Sequence, residues 1–513
     1  MSENLKIEST HRYHELTKHS YQSIRLSPHY LDWAIKPSPF KVYPELEPIA
    51  LPRGLLKTGY PALEALARGP SGPMQTPRPS LEQLASILYF SAGVTRVKEY
   101  AGGRIYFRAA ACAGALYPTE IYLVCGDIEE LAAGVYHFSP GDFSLRRLRE
   151  GDYRGVLVKA TAAYPVVASA PVTLIFSSIS WRSTWKYRDR AYRYHFWDNG
   201  TILANALAMA YSHGIPAQVI LGFIDSEIEN LTGIDGAREL ALSLMTLGRE
   251  ENGVAAANRL PEPVSHEAIP LSTSEVDYPA IREAYRTSSL AGEAEVSAWR
   301  KASLSARSIA AGEQTIALAL PAANELPGVS IEAVIERRAS TRRFATRPIT
   351  LQDLSVILYS ATREVAADYS TGGAQLNELY LIINRVEGLS SGAYYYHKDK
   401  HAIELLKEGD FSERARYLTL EQDLGGDAAV TVFFMADLDR GLAAYGNRGY
   451  RVAQMEAGIM GGRIYLAAYA LRRGATGLTF YDDDVTEFFK PHAAGMSCIF
   501  VTSIGVPGKR PIF

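Results

Sequence analysis

Residues 337–344, RRASTRRF, place four arginines and one serine within eight positions. Guanidinium and hydroxyl groups at this spacing can surround an anion, because each guanidinium offers a fork of hydrogen-bond donors with a fixed charge. A solvated basic face is the alternative. The chain has 53 basic and 56 acidic residues and a net charge of −3, so any anion binding would have to be local.

The other residue types argue against several kinds of site. Cys112, Cys125 and Cys498 show no CxxC spacing and no histidine at metal-ligand distance, which disfavours a disulfide framework or a zinc site and suits a reducing cytoplasm. No GxGxxG motif follows a strand, and no P-loop motif occurs. The longest apolar stretches, such as AAVTVFFMA, are too short to cross a bilayer. We therefore expect a soluble cytoplasmic protein without a metal, nucleic-acid or membrane partner.

The sequence repeats itself once. LASILYFSA (84–92) matches LSVILYSAT (354–362), and GALYPTEIYLVC (114–125) matches GAQLNELYLIIN (373–384). The strongest match pairs KYRDRAYRYHFWDNG (186–200) with AYGNRGYRVAQMEAG (444–458). Because the matches follow one order with a nearly constant offset, we interpret them as two diverged copies of one domain.

Both copies show the same order of elements. A helix with apolar residues at helical spacing precedes a Gly-rich turn and an apolar strand, and a hairpin, a second strand, a long helix and a closing strand follow. The long helix is predicted to end at Gly214 in copy one and at Gly474 in copy two. This order predicts an α+β fold with mostly antiparallel central sheets flanked by helices. The expected segments are an N-terminal extension (1–75), copy one (76–255), a connector (256–328) and copy two (329–513).

The copies differ where chemistry would take place. RRASTRRF stands directly before copy two, whereas the matching segment before copy one, GPSGPMQTPRPS, carries no such cluster. Lys186–Tyr187 of copy one is matched by Ala444–Tyr445. We therefore expect one surviving site from an ancestral pair.

Two other charged patterns favour structural roles. Each copy has two arginines three residues apart on a long helix, Arg190 and Arg193 or Arg448 and Arg451, and this recurrence predicts packing or carboxylate pairing. The acidic run YDDDV (481–485) could suggest metal ligands, but adjacent aspartates are more typical of a helix N-terminus.

Several motifs together resemble the flavin-dependent nitroreductase superfamily. They are RxSxR before an apolar helix, the turn AACAG before ALYPTE, KYxxRxYR opening a long helix, and a C-terminal GxPxKR. The tandem arrangement most resembles the SagB-type branch, which contains the azoline dehydrogenases of thiazole and oxazole peptide biosynthesis. The resemblance implies two nitroreductase-like domains that form an intrachain pseudo-dimer and bind FMN at their interface.

The resemblance also assigns FMN contacts. Arg338, Ser340 and Arg342 match the phosphate-binding triplet of the family. Lys509 and Arg510 match a basic pair brought to the same phosphate, although a solvated charged tail is the alternative. Small residues in the AACAG turn would let backbone N–H groups approach the flavin ring, with a cysteine, expected to be a buried inert thiol, where the family has serine. The remaining candidates are Ala111, Cys112, Ala113, Gly114, Gln422, Thr479 and Phe480.

Lys186 and Tyr187 match the Lys–Tyr pair of the azoline dehydrogenases. Oxidation of an azoline to an azole requires removal of a proton from one ring carbon and of a hydride from its neighbour. A lysine whose pKa is lowered by burial can act as the base, and a tyrosine can assist as an acid or hydrogen-bond partner. A lysine capping a helix beside a core tyrosine is the alternative.

Three functions fit these residues. The first is an FMN-dependent dehydrogenase that oxidises azolines in a peptide and has a cyclodehydratase complex as a partner. The second is an NAD(P)H-dependent reductase of nitroaromatics or quinones, with the nicotinamide bound transiently over the flavin. The third is a non-catalytic peptide-binding or scaffold subunit. Further association of pseudo-dimers stays open.

Overall fold

The computed structural model describes residues 2–67, 77–100, 103–258, 261–304, 307, 309, 312, 314–369 and 375–508. The N-terminal extension contributes short elements that pack on both copies, and α1 reaches the long helix of copy two through Thr10, which donates to Asn447 at 2.6 Å. These elements are α1 (Glu8–Leu16), α2 (Tyr21–Arg25), β1 (Pro48–Ala50) and α3 (Ala62–Ala67).

Copy one alternates helices with a central sheet. Its strands are β2 (Val94–Tyr100), β3 (Gly103–Arg108), β4 (Thr119–Cys125), β5 (Gly134–Ser139), β6 (Ser144–Glu150), β7 (Val172–Ile179), β8 (Ala217–Ile220) and β9 (Glu239–Leu247). Its helices are α4 (Leu81–Ala92), α5 (Arg154–Ala160), α6 (Pro165–Ala168), α7 (Ser180–Tyr187), α8 (Ala191–Ser212) and α9 (Asp225–Thr232).

The connector and copy two continue the pattern. The connector holds α10 (Pro279–Thr287), α11 (Glu293–Lys301) and β10 (Thr315–Ala317). The helices of copy two are α12 (Ile331–Arg337), α13 (Leu351–Ala361), α14 (Ser412–Leu418), α15 (Asp423–Asp427), α16 (Leu438–Tyr445), α17 (Arg448–Ala470) and α18 (Asp482–Phe489). Its strands are β11 (Phe344–Ala345), β12 (Asn377–Ile383), β13 (Gly392–His397), β14 (Ala402–Glu408), β15 (Val430–Ala436), β16 (Gly474–Gly477) and β17 (Ser497–Pro507).

The two main sheets have equivalent strand orders. The first runs β1-β6-β5-β4-β7-β9-β8, and the second runs β10-β14-β13-β12-β15-β17-β11 with β16 also paired to β17. Every ladder between these strands is antiparallel. The predicted α+β fold with two copies is therefore confirmed. Each sheet also takes an edge strand from outside the predicted copy limits, β1 from the extension and β10 from the connector.

The long helices α8 and α17 cross at the centre of the molecule and join the copies. A Cβ atom at Gly200 would lie 2.6 Å from the backbone of Gly458, and one at Gly458 would lie 2.7 Å from the carbonyl of Trp197. The absence of side chains at the crossing thus allows the helix backbones to touch. One continuous apolar core includes residues of both helices and both sheets, so the two copies form one intrachain pseudo-dimer.

Two buried ion clusters connect the copies reciprocally. Asp482, the first residue of α18, accepts from two arginines of copy one, and Asp225, the first residue of α9, accepts from two arginines of copy two. The Nη1–carboxylate distances are 2.9 Å for Arg190–Asp482, 2.7 Å for Arg193–Asp482, 2.7 Å for Arg448–Asp225 and 2.7 Å for Arg451–Asp225. Burial raises the pKa of each aspartate, but the positive charges of its two arginines lower it by more. The pKa of each aspartate therefore lies below its ordinary value. The predictions of carboxylate pairing and of a helix start at YDDDV are confirmed.

One predicted helix end is wrong. In copy one, α8 ends at Ser212 and Gly214 has the left-handed φ of 67° expected after a helix. In copy two, α17 ends at Ala470, and Gly474 already opens β16. Arg472 takes the left-handed conformation there, with φ of 57°. No described helix has the length and apolarity that crossing a membrane requires.

Candidate active site

A cleft of about 340 Å³ lies between the copies. Copy one forms one wall with the turn at 111–114, the end of α7 and the start of α8. Copy two forms the other with Ser340, Arg342, Gln422 and the segment 476–479. Most of the predicted contacts therefore meet in one place, namely Ala111, Cys112, Ala113, Gly114, Lys186, Tyr187, Ser340, Arg342, Gln422 and Thr479.

The turn at 111–114 is held from behind by α8. The carboxylate of Asp198 accepts from the Ala113 backbone N–H at 2.8 Å and from the Cys112 thiol at 3.2 Å, and Thr201 donates to the Ala111 carbonyl at 2.5 Å. Gly114 has φ of 61°, and a Cβ there would lie 2.8 Å from the Tyr187 hydroxyl, so a side chain would not fit. The turn is thus shaped by its own glycine and by a buried acid.

Burial shifts the pKa of Asp198, which lies behind this turn, and of Cys112, which belongs to it. It raises the pKa of Asp198 to about 7, against the stabilising hydrogen bond from Ala113. Burial and the nearby Asp198 also raise the pKa of the Cys112 thiol well above its ordinary value. A thiol of this kind stays protonated at neutral pH. Cys112 is half-buried and lines the cleft, whereas the sequence predicted a buried thiol.

Lys186 and Tyr187 form the last turn of α7, at the mouth of the cleft. Lys186 is half-buried, and its pKa is lowered first by burial and then by the positive charge of Arg342. The Tyr187 ring stacks on Tyr194 with the ring centres 4.2 Å apart. Burial raises the pKa of Tyr187 well above its ordinary value, so its hydroxyl remains a neutral donor. The pair therefore places a deprotonation-prone amine beside a fixed phenol.

The arginine-rich octet begins at the last residue of α12. Some of its side chains bind the protein itself, and others are available to a ligand. Arg338 is engaged by the protein, since its Nε donates to the Ala109 carbonyl at 3.0 Å and its Nη2 to the Arg108 carbonyl at 3.2 Å. Arg342 makes no ion pair or hydrogen bond within the described parts of the chain. Ser340 lies 3.3 Å from the Tyr465 hydroxyl. Arg342 is thus the cation of the triplet that is available to a ligand.

A second cleft of about 510 Å³ adjoins the first. The two clefts share Ala111, Cys112, Ser340 and Arg342, and Arg338 lines the second one. Arg338, Ser340 and Arg342 therefore lie where a ligand in the first cleft would extend into the second.

The other candidates from copy two take different positions. The Gln422 side chain donates to the Thr479 hydroxyl at 3.2 Å, and both residues line the first cleft. Phe480 lies buried behind the cleft wall, with the Arg190 guanidinium 5.0 Å from its ring centre. Lys509 and Arg510 lie outside the described residues. The chain approaches the octet just before them, because the Gly508 N–H donates to the Arg343 carbonyl at 2.9 Å.

Several residues of the cleft were not anticipated from the sequence. Tyr194, Trp197, Asp198 and Thr201 line it from one face of α8, and Tyr465 and Phe500 line it from copy two. The spacing of the α8 residues, at steps of three and four, is that of neighbours on one helix face. The sequence gives no signal for the α8 residues, because this helix is buried on all sides from Ala191 to Tyr211 and shows no polar face that would mark them.

The equivalent place on the other side of the pseudo-dimer is filled. There Tyr445, the counterpart of Tyr187, packs against Trp299 of α11 with ring centres 5.3 Å apart. A Cβ at Gly222, which precedes α9 as Thr479 precedes α18, would lie 2.9 Å from the Trp299 ring. Arg300 donates to the carbonyls of Gly222 and Thr161, each at 2.9 Å. The connector thus occupies the counterpart of the first cleft.

Comparison with known proteins agrees with this architecture. The nitroreductase family profile matches residues 74–249 and 335–494. A protein of Methanocaldococcus jannaschii described as a nitroreductase is 29% identical over 182 residues, which span 34% of this chain and 90% of that protein. The trifolitoxin-processing protein TfxB of Rhizobium leguminosarum bv. trifolii is 30% identical over 179 residues, which span 34% of this chain and 48% of TfxB.

A solved structure extends the likeness to the whole chain. The crystal structure of a protein of Anabaena variabilis, also described as a nitroreductase, superposes with a TM-score of 0.77 at 26% identity and covers 98% of this chain and 99% of its own. The profile matches both copies and more than half of the chain. The chain is therefore an oxidoreductase of the nitroreductase family.

Proposed function

We propose that this protein is an FMN-dependent dehydrogenase of the SagB type, which oxidises azoline rings in a peptide to azoles. The observation that carries the proposal is the position of Lys186, half-buried at the mouth of a cleft between the copies and next to Arg342. The similarity to TfxB, a protein named for processing trifolitoxin, supports a peptide substrate.

The residues of the cleft fit an FMN molecule. Members of the family generally bind this flavin. Arg342, Ser340 and the remaining Nη1 group of Arg338 would hold its phosphate, because guanidinium groups bind phosphate through charge-assisted hydrogen bonds. Lys509 and Arg510 are proposed to join them. A flat ring would lie between the 111–114 turn and the 477–479 segment, beside Trp197 and Phe500.

The turn at 111–114 would make fewer ring contacts than the resemblance implies. The Ala113 N–H is directed at Asp198, so the backbone contact with the flavin would fall to Cys112 and Gly114. Gln422 and Thr479 would face the ring from copy two. Bound in this way, FMN would supply the acceptor for the hydride.

Lys186 would supply the base. Its lowered pKa increases the neutral fraction of the amine at a given pH, and Arg342 disfavours a second positive charge nearby. The neutral Lys186 amine would take the proton from one carbon of the azoline. Tyr187, fixed by its stack on Tyr194, would donate a hydrogen bond that orients the heterocycle.

The first experiment measures the visible absorption of the purified protein and its reaction with a thiazoline-containing peptide. We expect flavin bands at about one FMN per chain, anaerobic bleaching of these bands on mixing, and loss of two hydrogen atoms from the peptide by mass spectrometry. Arg342→Ala should weaken FMN binding by roughly a hundredfold, because it removes charge-assisted hydrogen bonds to the phosphate.

Arg343→Ala is the matched control. Arg343 is the adjacent exposed arginine and does not line either cleft, so its variant should keep the flavin. A protein that cannot be reconstituted with FMN would contradict the cofactor assignment. A flavoprotein that reduces a nitroaromatic or a quinone with NAD(P)H but leaves the thiazoline peptide unchanged would favour the reductase instead.

A further inference from the structure

We propose that the β2–β3 hairpin and the second cleft bind an acidic segment of the peptide substrate. This inference rests on the proposed function and adds the place and the charge of the bound peptide.

The hairpin is a feature of copy one. Residues 93–118 separate α4 from β4 and contain the hairpin, whereas the corresponding stretch of copy two, 362–376, is shorter. In the described parts of the chain, β2 and β3 pair only with each other, in a two-stranded sheet. Both strands therefore have an unpaired edge, which an extended peptide can join by backbone hydrogen bonds.

One face of the hairpin is basic and lies against the second cleft. Arg96 and Lys98 of β2 are exposed and line this cleft together with Phe107 of β3. Arg96 lies over the Phe107 ring at 4.5 Å, and neither cation has an ion pair among the residues described. The opposite face is anchored, since Tyr106 packs edge-on against Phe40 with ring centres 4.8 Å apart.

The charge of the cleft selects an anionic ligand. Arg96, Lys98, Arg338 and Arg342 line it, and its one acidic lining residue, Glu336, already pairs with Lys57 at 2.7 Å. The proposed FMN phosphate site uses Arg338, Ser340 and Arg342. Arg96 and Lys98 also line the second cleft but are not part of that site, so their charges remain for a second ligand. Carboxylates along an extended peptide match this arrangement.

The position of the cleft also suits a substrate. It is continuous with the first cleft through Ala111, Cys112, Ser340 and Arg342. Exposed Ile105, which pairs with Lys98 in the hairpin, adds apolar contact area for a peptide. A peptide bound along β2 would therefore have a neighbouring residue within reach of Lys186.

The test uses the full-length, FMN-loaded protein and a fluorescein-labelled peptide of alternating glutamate and valine. Fluorescence anisotropy should show binding that weakens with added salt and is lost for the matching glutamine–valine peptide. The double variant Arg96→Gln, Lys98→Gln should weaken binding about fivefold, as expected for two partly exposed charge pairs. Arg104→Gln, which removes a charge from the opposite face and from a 2.9 Å pair with Glu99, should change it less than about twofold.

Three outcomes would overturn the proposal. They are equal effects of the cleft and control variants, loss of FMN from the double variant, and weaker NADPH binding without a change in peptide affinity. Because the probe contains no azoline, binding is measured independently of turnover. Peptide binding without azoline oxidation would retain the docking surface and reject only the proposed reaction.

Discussion

The two equivalent sites between the copies differ, because the first is an open cleft and the second is filled. At the first, Lys186 and Tyr187 face a cleft. At the second, Ala444 and Tyr445 stand in the same position of the repeat, and Trp299 and Arg300 of the connector fill the space. The comparison teaches that the duplicated fold offers two similar interfaces and that the segments outside the duplicated elements decide which of them stays open.

The buried arginine–aspartate clusters that connect the copies differ much less between the two sides. Asp482 with its two arginines and Asp225 with its two arginines have the same geometry on both sides. A buried charge without a partner is strongly destabilising, so either cluster could change only at a high cost. Side chains that face a ligand carry no such constraint.

The largest effect expected from this comparison is on turnover. Lys186→Met should lower kcat for azoline oxidation roughly a thousandfold, since a positioned base contributes on the order of 100- to 10,000-fold. The flavin bands should be retained. In the wild-type protein, the rate should rise with pH as Lys186 loses its proton and level off below the ordinary lysine pKa of 10.5, because the folded protein lowers this pKa.

Ala444→Lys is the reciprocal control for Lys186. It should neither add activity nor increase the flavin content, because Trp299 fills the space that a second ligand would need. A second equivalent of bound FMN in this variant would show that Trp299 does not exclude a ligand from the second site.

The next effect is on stability. Trp299→Ala should lower the free energy of unfolding by about 3 kcal/mol, because truncation of a buried tryptophan leaves a cavity. Urea denaturation measures the loss, and added indole should restore part of it by filling the cavity. Trp33→Ala is the control, since Trp33 is 66% exposed and should have little effect. No difference between the two variants would mean that α11 does not fill the second place.

A smaller effect concerns Asp198 and its counterpart in copy two, Glu456. The pKa of Asp198 is raised to about 7, whereas an ordinary aspartate titrates near 3.8. The folded state therefore keeps a proton that the unfolded state releases, so the stability contributed by this group is present below pH 3.8 and is lost as pH rises to about 7. Asp198→Asn should remove this dependence and raise the melting temperature at pH 8 by roughly 2 °C.

Glu456 occupies the same position in copy two and sharpens this test. Its pKa is also raised by burial, and it accepts from the backbone of Leu376 and Asn377. Glu456→Gln should therefore shift the pH dependence in the same direction. A melting temperature of Asp198→Asn that runs parallel to wild type between pH 4 and pH 8 would contradict the assigned pKa.

The smallest effect concerns Arg188, which follows Lys186–Tyr187, and its counterpart Gly446, which follows Ala444–Tyr445. Arg188 has φ of 52° and ψ of −140°, a conformation that favours glycine, and copy two has Gly446 at this position. Arg188→Gly should stabilise the protein by about 1 kcal/mol through relief of backbone strain. Gly446→Ala should destabilise it, because the new Cβ would lie 2.3 Å from the Asn4 carbonyl. Calorimetry of both variants measures the two effects.

Sequence reasoning reached the fold and part of the site because both depend on local patterns. The repeat predicted two copies of one α+β unit, and the turn, the Lys–Tyr pair and the arginine octet each form a contiguous motif. It did not anticipate Asp198 or Trp197, because a helix that is buried on all sides shows no polar face to mark a functional stripe. The sequence also did not predict that Arg338 donates hydrogen bonds to two backbone carbonyls. These carbonyls belong to copy one, and their positions depend on how the two copies pack.

The order of elements, the duplication and the uneven distribution of Lys186 and the arginine octet between the copies follow from the amino-acid sequence alone. The tertiary structure decided which interface is open. That outcome depends on contacts between residues hundreds of positions apart, such as Trp299 with Tyr445 and Gly200 with Gly458. Packing of this kind is set by the shapes of surfaces that exist only after both copies have folded, and no local spacing in the chain records it.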